Sequence, residues 1–387
     1  MATNYKVNGK EYFRVSASFG RDSNGKLIRK FFYGKTKSEA KRKMEEYKFN
    51  LKRGVDINKK TLLSDSMKEW LYEIVKAGIK LSTFDRYEDI FRNYIQKSTL
   101  SNKDIKDIKA IDMQKYYNSL YENGKSYTRI RSINRLVKRF FSYAFSEGLI
   151  LRNPCENVII PGKLDYKKED IEVFTKDELS KILHSKENSM IKNLAIIAFS
   201  TGMRIGEILG LDESAIDESK GLIHIKQIVA CYTQIEPDGS RHKVKKLQTP
   251  KTNNSCRDIP YPKELKSVFA NELRRRAGNK LRFGDMYNSE FFDKKIIFLT
   301  DEGNLVYHSN IERSWRLFLK RLDIPYRKFH SLRHTYATMQ FQANIPLKTV
   351  SELLGHSNIQ ITANTYTHVL KEDMDKSVSI INVLNMC

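Results

Sequence analysis

The chain has 387 residues, 40% apolar and 30% charged, with only 18 Gly and 8 Pro; this excludes a disordered or fibrous protein and fits a helix-rich one of two or three domains. Its 69 Lys and Arg against 46 Asp and Glu give a formal net charge of +23, an excess that must face water and points to polyanions, nucleic acid first, as partners. Cys155, Cys231, Cys256 and Cys387 form no metal spacing, the N-terminus "MATNYKVNGK" has no apolar core, and no run of about 18 apolar residues occurs, so a reduced, cytosolic protein outside the membrane is expected.

The charge is concentrated at the front. Residues 1–60 carry 17 Lys and Arg against 6 Asp and Glu, nearly half of the whole excess. Tyr12 to Phe19 has the aromatic and β-branched content of a strand. Asn24-Gly25 marks a hairpin turn, and "LIRKFFYG" (27–34) is the returning strand. Thr36 followed by Glu39 is a capping box, opening a helix that ends at Gly54. This small basic hairpin plus helix is either a solvated face or a module that reads a DNA groove with its sheet.

Residues 61–156 read as all-helical. In "LSDSMKEWLYEIVKAG", Met67, Trp70, Leu71 and Ile74 fall at helical spacing. Ser82 caps a second helix with Phe84, Tyr87, Ile90, Phe91 and Tyr94 on its apolar side. A third helix ends at Gly124. The longest (126–148) buries Ile130, Ile133, Val137, Phe140 and Phe141. Arg131, Arg135 and Lys138 form a basic stripe on another of its faces, which is either plain solvated surface or a contact for the DNA backbone. The Pro- and charge-rich stretch 157–170 reads as a linker.

A second folded unit starts with Thr175 as a cap and Glu178 at the third helical position. "NLAIIAFSTGMRIGEILGLDESAID" (193–217) is an apolar helix, a turn at Gly202 and a second helix. Arg204 stands at the start of that second helix, within pairing distance of Glu207. Residues 221–262 alternate as strands, from Leu222 to Val229 and again in "CRDIPY", and Lys251 lies beside a turn between them. In "HSLRHTYATM" (330–339), His330 and Arg333 share one face at a helix N-terminus, where free N–H groups and the helix dipole favour an anion. The arginine fork matches a phosphate. A metal is disfavoured because no carboxylate or thiolate completes a shell and the arginine would repel it. His334 points about 100° away from Arg333 and is expected to be structural, and Tyr336 to be helix packing. Pro346 opens a helix that Gly355 ends, His356 sits on the following turn, Ser357 caps a further segment, and Tyr366 comes ten residues after His356.

Taken in order, "TGMRIGEILGL", "TPKTNNSCRDIP", "HSLRHTYAT" and "LGHSNIQITANTYTHV" resemble the tyrosine recombinases, or phage-type integrases, strongly over about 170–370. Residues 61–156 look like that family's core-binding domain. Residues 1–60 look like the arm-binding domain of integrases from conjugative transposons and temperate phages of Gram-positive bacteria. The fold expected is therefore multidomain α+β: an arm-type domain of small β-sheet plus helix (1–60), an all-helical core-binding domain (61–156), the linker (157–170), and a mainly helical catalytic domain with a small β-sheet (171–387).

The resemblance implies that Tyr366 attacks a scissile phosphate to form a 3′-phosphotyrosyl bond. Arg204 and Arg333 would clamp the non-bridging oxygens. Lys251 would protonate the 5′-hydroxyl, His330 assist proton transfer, His356 bond the phosphate, and Glu207 support Arg204. Neighbouring cations are expected to ease ionisation of the tyrosine, whose ordinary pKa is about 10. No cofactor and no metal are implied. The partners implied are double-stranded DNA and three further copies of the chain, with an excision factor or a DNA-bending host protein, in the bacterial cytoplasm at the nucleoid. The apolar tail 376–387 would dock on a neighbouring subunit. Two rivals stand beside this reading, a topoisomerase-like relaxing activity of type IB and a non-catalytic DNA-binding regulator. A metal-dependent nuclease lacks the carboxylates to bind Mg²⁺.

Overall fold

Alternation in the front segment produces a sheet, and one strand more than the sequence announces. The structure, a computed structural model, describes residues 5–7, 10–21, 27–52, 60–164, 171–236, 239–250 and 255–366. Strand β1 (Tyr5–Val7) pairs antiparallel with β2 (Lys10–Arg21), which pairs antiparallel with β3 (Leu27–Gly34). Three residues are too few to reveal a period, so β1 is invisible in the sequence. Helix α1 (Lys37–Lys52) covers one face of the sheet, packing Met44 and Tyr47 on Phe32, Val15, Ala17 and Phe19. Thr36 caps it as expected, its Oγ1 accepting from Glu39 N at 3.1 Å. Glu39 in return accepts from Lys35 N at 2.8 Å, one residue further back than a standard capping box. The opposite face carries the exposed rings of Phe31 and Tyr33, and the Arg14 guanidinium lies 4.5 Å from the Tyr5 ring and 4.9 Å from that of Phe31.

The helical segment follows its apolar pattern with a shift at two places. Helix α2 (Leu63–Glu69) continues into a π-helical turn at Trp70–Val75. Such a turn takes in an extra residue, so the inward face moves one position along. Met67, Trp70 and Leu71 are buried as the spacing predicts, but Ile74 is 47% exposed and Val75 takes its place at 3%. The same happens after α3 (Leu81–Ile90): the π turn Phe91–Ile95 buries Ile95 and leaves Tyr94 half-buried. The cap of α3 is Lys80, not Ser82, which lies inside the helix. Helix α4 (Ala110–Glu122) precedes Gly124, and α5 (Tyr127–Ser146) starts at Ser126, whose side chain accepts from Arg129 N. Helix α5 buries all five residues predicted and exposes Arg131, Arg135 and Lys138. The chain divides by its own contacts into Met1–Lys167, which holds all of these elements, and Lys168–Cys387.

The second unit is built on α7 (Met190–Thr201), which is apolar almost all round and therefore central. Before it comes α6 (Lys176–His184), with the Thr175–Glu178 capping box as predicted. After it come the short α8 (Ile205–Leu209), then β4 (Ile216–Asp217) and β5 (Leu222–Ile225). Strands β6 (Ile228–Ile235) and β7 (Arg241–Gln248) form a hairpin, so the single strand read from Leu222 to Val229 is two. Strand β8 (Arg257–Pro260) returns beside β5, pairing Ile223 with Ile259 and Ile225 with Arg257. Helices α9 (Leu265–Phe283), α10 (Glu290–Asp293) and α11 (His308–Arg321) complete a core that includes Leu194, Ile208, Ile259, Phe298, Trp315 and Leu332.

Helices α12 (Ser331–Gln342), α13 (Leu347–Leu354) and α14 (Ile359–Thr365) follow. A second apolar cluster of Tyr336, Phe341, Val350, Leu354 and Tyr366 binds them together, with Tyr336 in the packing role expected of it. Helix α14 is capped by Asn358, which accepts from Gln360 N, and not by Ser357. Among the described residues no helix is long and apolar enough to cross a membrane. The sheet turn at Asn24, the helix end at Gly54, Lys251 and the tail 376–387 lie outside the described residues.

Candidate active site

Two glycines let two arginines settle on helix ends. Helix α7 stops at Gly202, with φ +66°, and α13 stops at Gly355, with φ +64°; this left-handed conformation costs glycine nothing. A Cβ at Gly202 would come within 2.4 Å of the Tyr336 ring, and one at Gly355 within 2.8 Å of Arg257 Nη1. The side chain of Arg333, on α12, reaches both ends. Its Nη1 donates to Gly202 O at 2.8 Å and its Nη2 to Leu354 O at 2.7 Å. Helix C-termini carry unpaired carbonyls and partial negative charge, so a guanidinium is at home there even when it is 2% exposed.

Arg333 Nη2 also lies 2.9 Å from His356 Nε2. A guanidinium only donates, so Nε2 is the acceptor and the imidazole hydrogen sits on Nδ1, where Thr362 Oγ1 accepts it at 2.7 Å. Three of the five N–H groups of Arg333 are thus occupied, which leaves two for a ligand.

Arg204 follows the Gly202 turn and starts α8. The pairing with Glu207 that the spacing predicts is present: Nη1 donates to Oε1 at 2.8 Å and the backbone N to Oε2 at 2.9 Å. Nη2 donates to Gly355 O at 3.3 Å. The side chain remains 37% exposed, and three of its five N–H groups have no hydrogen-bond partner among the described residues.

Glu207 does more than support Arg204. Its buried carboxylate also receives a fork from Arg257, Nη1 to Oε1 at 3.1 Å and Nη2 to Oε2 at 3.0 Å. Arg257 Nε donates to Leu353 O at 2.7 Å, next to the turn that carries His356. Burial pushes the Glu207 carboxyl up, but Arg257 and then Arg204 outweigh it and hold it below its ordinary range. Sequence reading passed over Arg257. The signal was there: in a strand, residues two apart share a face, and Ile259 is fully buried, so Arg257 had to point inward and required a partner.

His334 is the other omission. It was expected to be structural, yet its Nδ1 lies 2.8 Å from the Tyr366 hydroxyl. Tyr366 ends α14, is 1% exposed, and packs its ring 5.4 Å from that of Phe341. Burial pushes its phenol up to about 12, against the pull of Arg333. The expectation that neighbouring cations ease its ionisation is therefore reversed in the free chain, because desolvation of the phenolate wins.

The three imidazoles respond in the same sense. His330, at the start of α12, stands edge-on to His334 with ring centroids 4.8 Å apart. Desolvation, then His334, Arg333, Arg204 and His356, push it down to about 4, although its edge reaches solvent. His334 falls to about 4 through burial and Arg333, and His356 to about 4 through burial, Arg333, Arg204, Arg257 and His334. All three are neutral at neutral pH. Unfolded histidines take protons near pH 6.5, and these do so only near 4, so the unfolded state binds more protons in between. The contribution of His334 and His356 to stability is full above about 6.5 and is lost as the pH falls toward about 4, with a slope of up to ~1.4 kcal/mol per pH unit for each proton, while the exposed His330 adds less because solvent screens it. Urea unfolding across that window should show the loss, and His356→Gln should flatten it. An equal slope in both proteins would refute the assignment.

The structure thus brings together Arg204, Glu207, His330, Arg333, His356 and Tyr366, with Lys251 outside the described residues. The sequence profile described as the phage integrase family matches residues 172–373, and that described as the phage integrase N-terminal SAM-like domain matches 62–121. A "Tyrosine recombinase XerC-like" protein of Caldanaerobacter subterraneus subsp. tengcongensis is 44% identical over 99% of this chain and 98% of its own. The Tn1549 transposon integrase, solved with a circular intermediate DNA, is similar in fold with a TM-score of 0.66 at 21% identity, over 82% of this chain and 99% of that one. Lambda integrase, solved as a tetramer on a Holliday junction, gives 0.54 at 16% identity, over 90% and 91%. The multidomain α+β architecture is that of these integrases, and the chain belongs to the phage integrase family of tyrosine recombinases, enzymes of site-specific DNA recombination.

Proposed function

We propose that this enzyme is the integrase of a mobile element, with Tyr366 as nucleophile on double-stranded DNA. The observation that carries the reading is the convergence of Arg204, Arg333, His330 and His356 on the element that ends in Tyr366. A phosphodiester gains negative charge on its non-bridging oxygens as the phenol oxygen attacks. The three N–H groups of Arg204 and the two of Arg333 that have no partner among the described residues supply donors for that charge. Neither ring nitrogen of His330 has a hydrogen-bond partner among the described residues, which leaves it available to the phosphate or the leaving group. To bond the phosphate, His356 must present an Nε2–H in place of the bond from Arg333, by taking up a proton or by shifting its hydrogen from Nδ1 while Thr362 Oγ1 donates to Nδ1 instead. Lys251 protonates the departing 5′-oxygen. The phosphotyrosyl bond conserves the energy of the broken one, so strands rejoin without ATP.

The working form in this reading is a tetramer on two duplexes, as the lambda integrase assembly suggests, helped by an excision factor or a DNA-bending host protein at the nucleoid. Its arm-type domain is 1–60, where the open sheet face with Arg14, Phe31 and Tyr33 suits a DNA groove. Its core-binding domain is 61–156, with Arg131, Arg135 and Lys138 on phosphates. The linker is 157–170, and the catalytic domain is 171–387, with its tail on a neighbouring subunit.

The test is a nicked suicide duplex carrying the element's end, incubated with the full chain in EDTA. A covalent adduct on a denaturing gel is expected, and mass spectrometry of its peptides should place the nucleotide on Tyr366. Linkage to any other residue, or no adduct on DNA shown to be bound, would sink the reading.

A further inference from the structure

We infer that His334 is the base for the nucleophile: its Nδ1 receives the Tyr366 phenol proton as the oxygen attacks phosphorus, and returns it when the strand is rejoined. The inference rests on Tyr366 being the nucleophile. Its first ground is the direction of one hydrogen bond. The phenol is buried and must donate its hydrogen somewhere. Among the described residues its partner is His334 Nδ1, at 2.8 Å. If Nδ1 were the donor, the phenol hydrogen would have no acceptor among the described residues, so the phenol is read as the donor and Nδ1 as the lone pair that receives it.

The other two imidazoles do not hold this position. His356 has its Nε2 lone pair on Arg333 and its Nδ1 hydrogen on Thr362. His330 contacts the His334 ring, not the phenol. His334 is also the residue next to Arg333 on α12, where Leu332 is fully buried. The proton acceptor and the phosphate clamp therefore ride on one anchored helix. Their spacing is set by α12 itself.

Proton strengths suit a concerted transfer. The phenol is pushed up to about 12 before attack. Once bonded to phosphorus, the same oxygen holds a proton far more weakly than a carboxylic acid does. An imidazole near 4 lies between these limits, where a base is too weak to ionise the free phenol but strong enough to take its proton as the bond forms. Among the described residues, the titratable and charged groups near His334 are Arg333 on its own helix, His330 at the start of that helix, His356 on the turn after α13 and Tyr366 at the end of α14. A phosphate arriving at Arg333 adds a negative charge that favours the imidazolium. In the step the phenol oxygen–phosphorus bond forms, the phosphorus–5′-oxygen bond breaks, the phenol proton goes to Nδ1, and the 5′-oxygen takes its proton from the general acid.

Single-turnover cleavage of the suicide duplex by the full chain tests this. His334→Asn offers an amide oxygen that can accept the same hydrogen bond but cannot hold the proton. It should bind DNA as the unmutated chain does and cleave about 100-fold more slowly. Replacing Tyr366 by a ring-fluorinated tyrosine, a more acidic phenol, should restore most of that loss. Cleavage by His334→Asn at the unmutated rate overturns the inference, and so does a slow variant that the fluorinated ring fails to rescue. If the variant does not bind DNA, the unmutated chain decides. With a 5′-bridging phosphorothiolate, whose sulfur leaves unprotonated, a normal solvent deuterium isotope effect supports transfer of the phenol proton, and its absence overturns it. An adduct mapped to another residue fells the nucleophile reading itself; one mapped to Tyr366 beside a fast His334→Asn fells only the base.

Discussion

Tyr366→Phe is expected to bind duplex DNA with native affinity and to give no covalent adduct. The change removes one oxygen and leaves the ring, which carries the packing against Phe341 and the α12–α13 cluster. The lost hydrogen bond to His334 costs ~1 kcal/mol, too little to unfold a domain of this size. The loss of chemistry is complete by comparison, because among the described residues no other hydroxyl takes that place. Tyr336 belongs to the same cluster, but its ring is wedged against the Gly202 turn. Urea unfolding, a binding titration and the suicide-duplex gel, run on both proteins, separate the two effects. A surviving adduct in Tyr366→Phe would move the nucleophile elsewhere. A variant that unfolds in buffer would mean that the hydroxyl is structural.

The caps at Thr36 and Thr175, the Gly202 and Gly355 stops and the face of α5 were legible because they depend on neighbours a few positions away, whereas the caps expected at Ser82 and Ser357 fall instead on Lys80 and Asn358. Ile74 and Tyr94 were misplaced because a π turn is decided by packing and leaves no local pattern. At the site, the order and spacing of Arg204, His330, Arg333, His356 and Tyr366 were enough to name a family. Their protonation was not legible. The cations that surround Tyr366 suggested an acidic phenol, and burial, which the sequence cannot measure, reverses the sign. His334 was set aside by counting angles on its own helix, whereas its partner arrives from an element 32 residues later. Arg257 was readable from strand parity, but only with the knowledge that Glu207 was buried and unbalanced.

Glu207→Ala is expected to be the most destabilising single change at the site, and comparison with Arg204→Ala shows why. Among the described residues Glu207 is the carboxylate that receives both Arg204 and Arg257, whose side chain is 8% exposed. Removing it leaves the Arg257 charge buried with only carbonyl partners, a loss of about 3–5 kcal/mol by analogy with broken buried pairs. Arg204→Ala takes away a half-exposed partner and leaves the Glu207–Arg257 fork intact, so its cost is at most ~1 kcal/mol. Cleavage should order differently. Arg204→Ala deletes the donors that face the phosphate and should lose about 100–1,000-fold with little change in the urea midpoint. Glu207→Ala should lose stability and cleavage together, since Arg204 is then held only by its 3.3 Å bond to Gly355 O and Arg257 only by backbone carbonyls. Glu207→Gln keeps the shape without the charge and should fall between them. If Arg204→Ala proved as destabilising as Glu207→Ala, Arg204 and not Glu207 would be the structural centre, and the donors assigned to catalysis would have to be found on another residue.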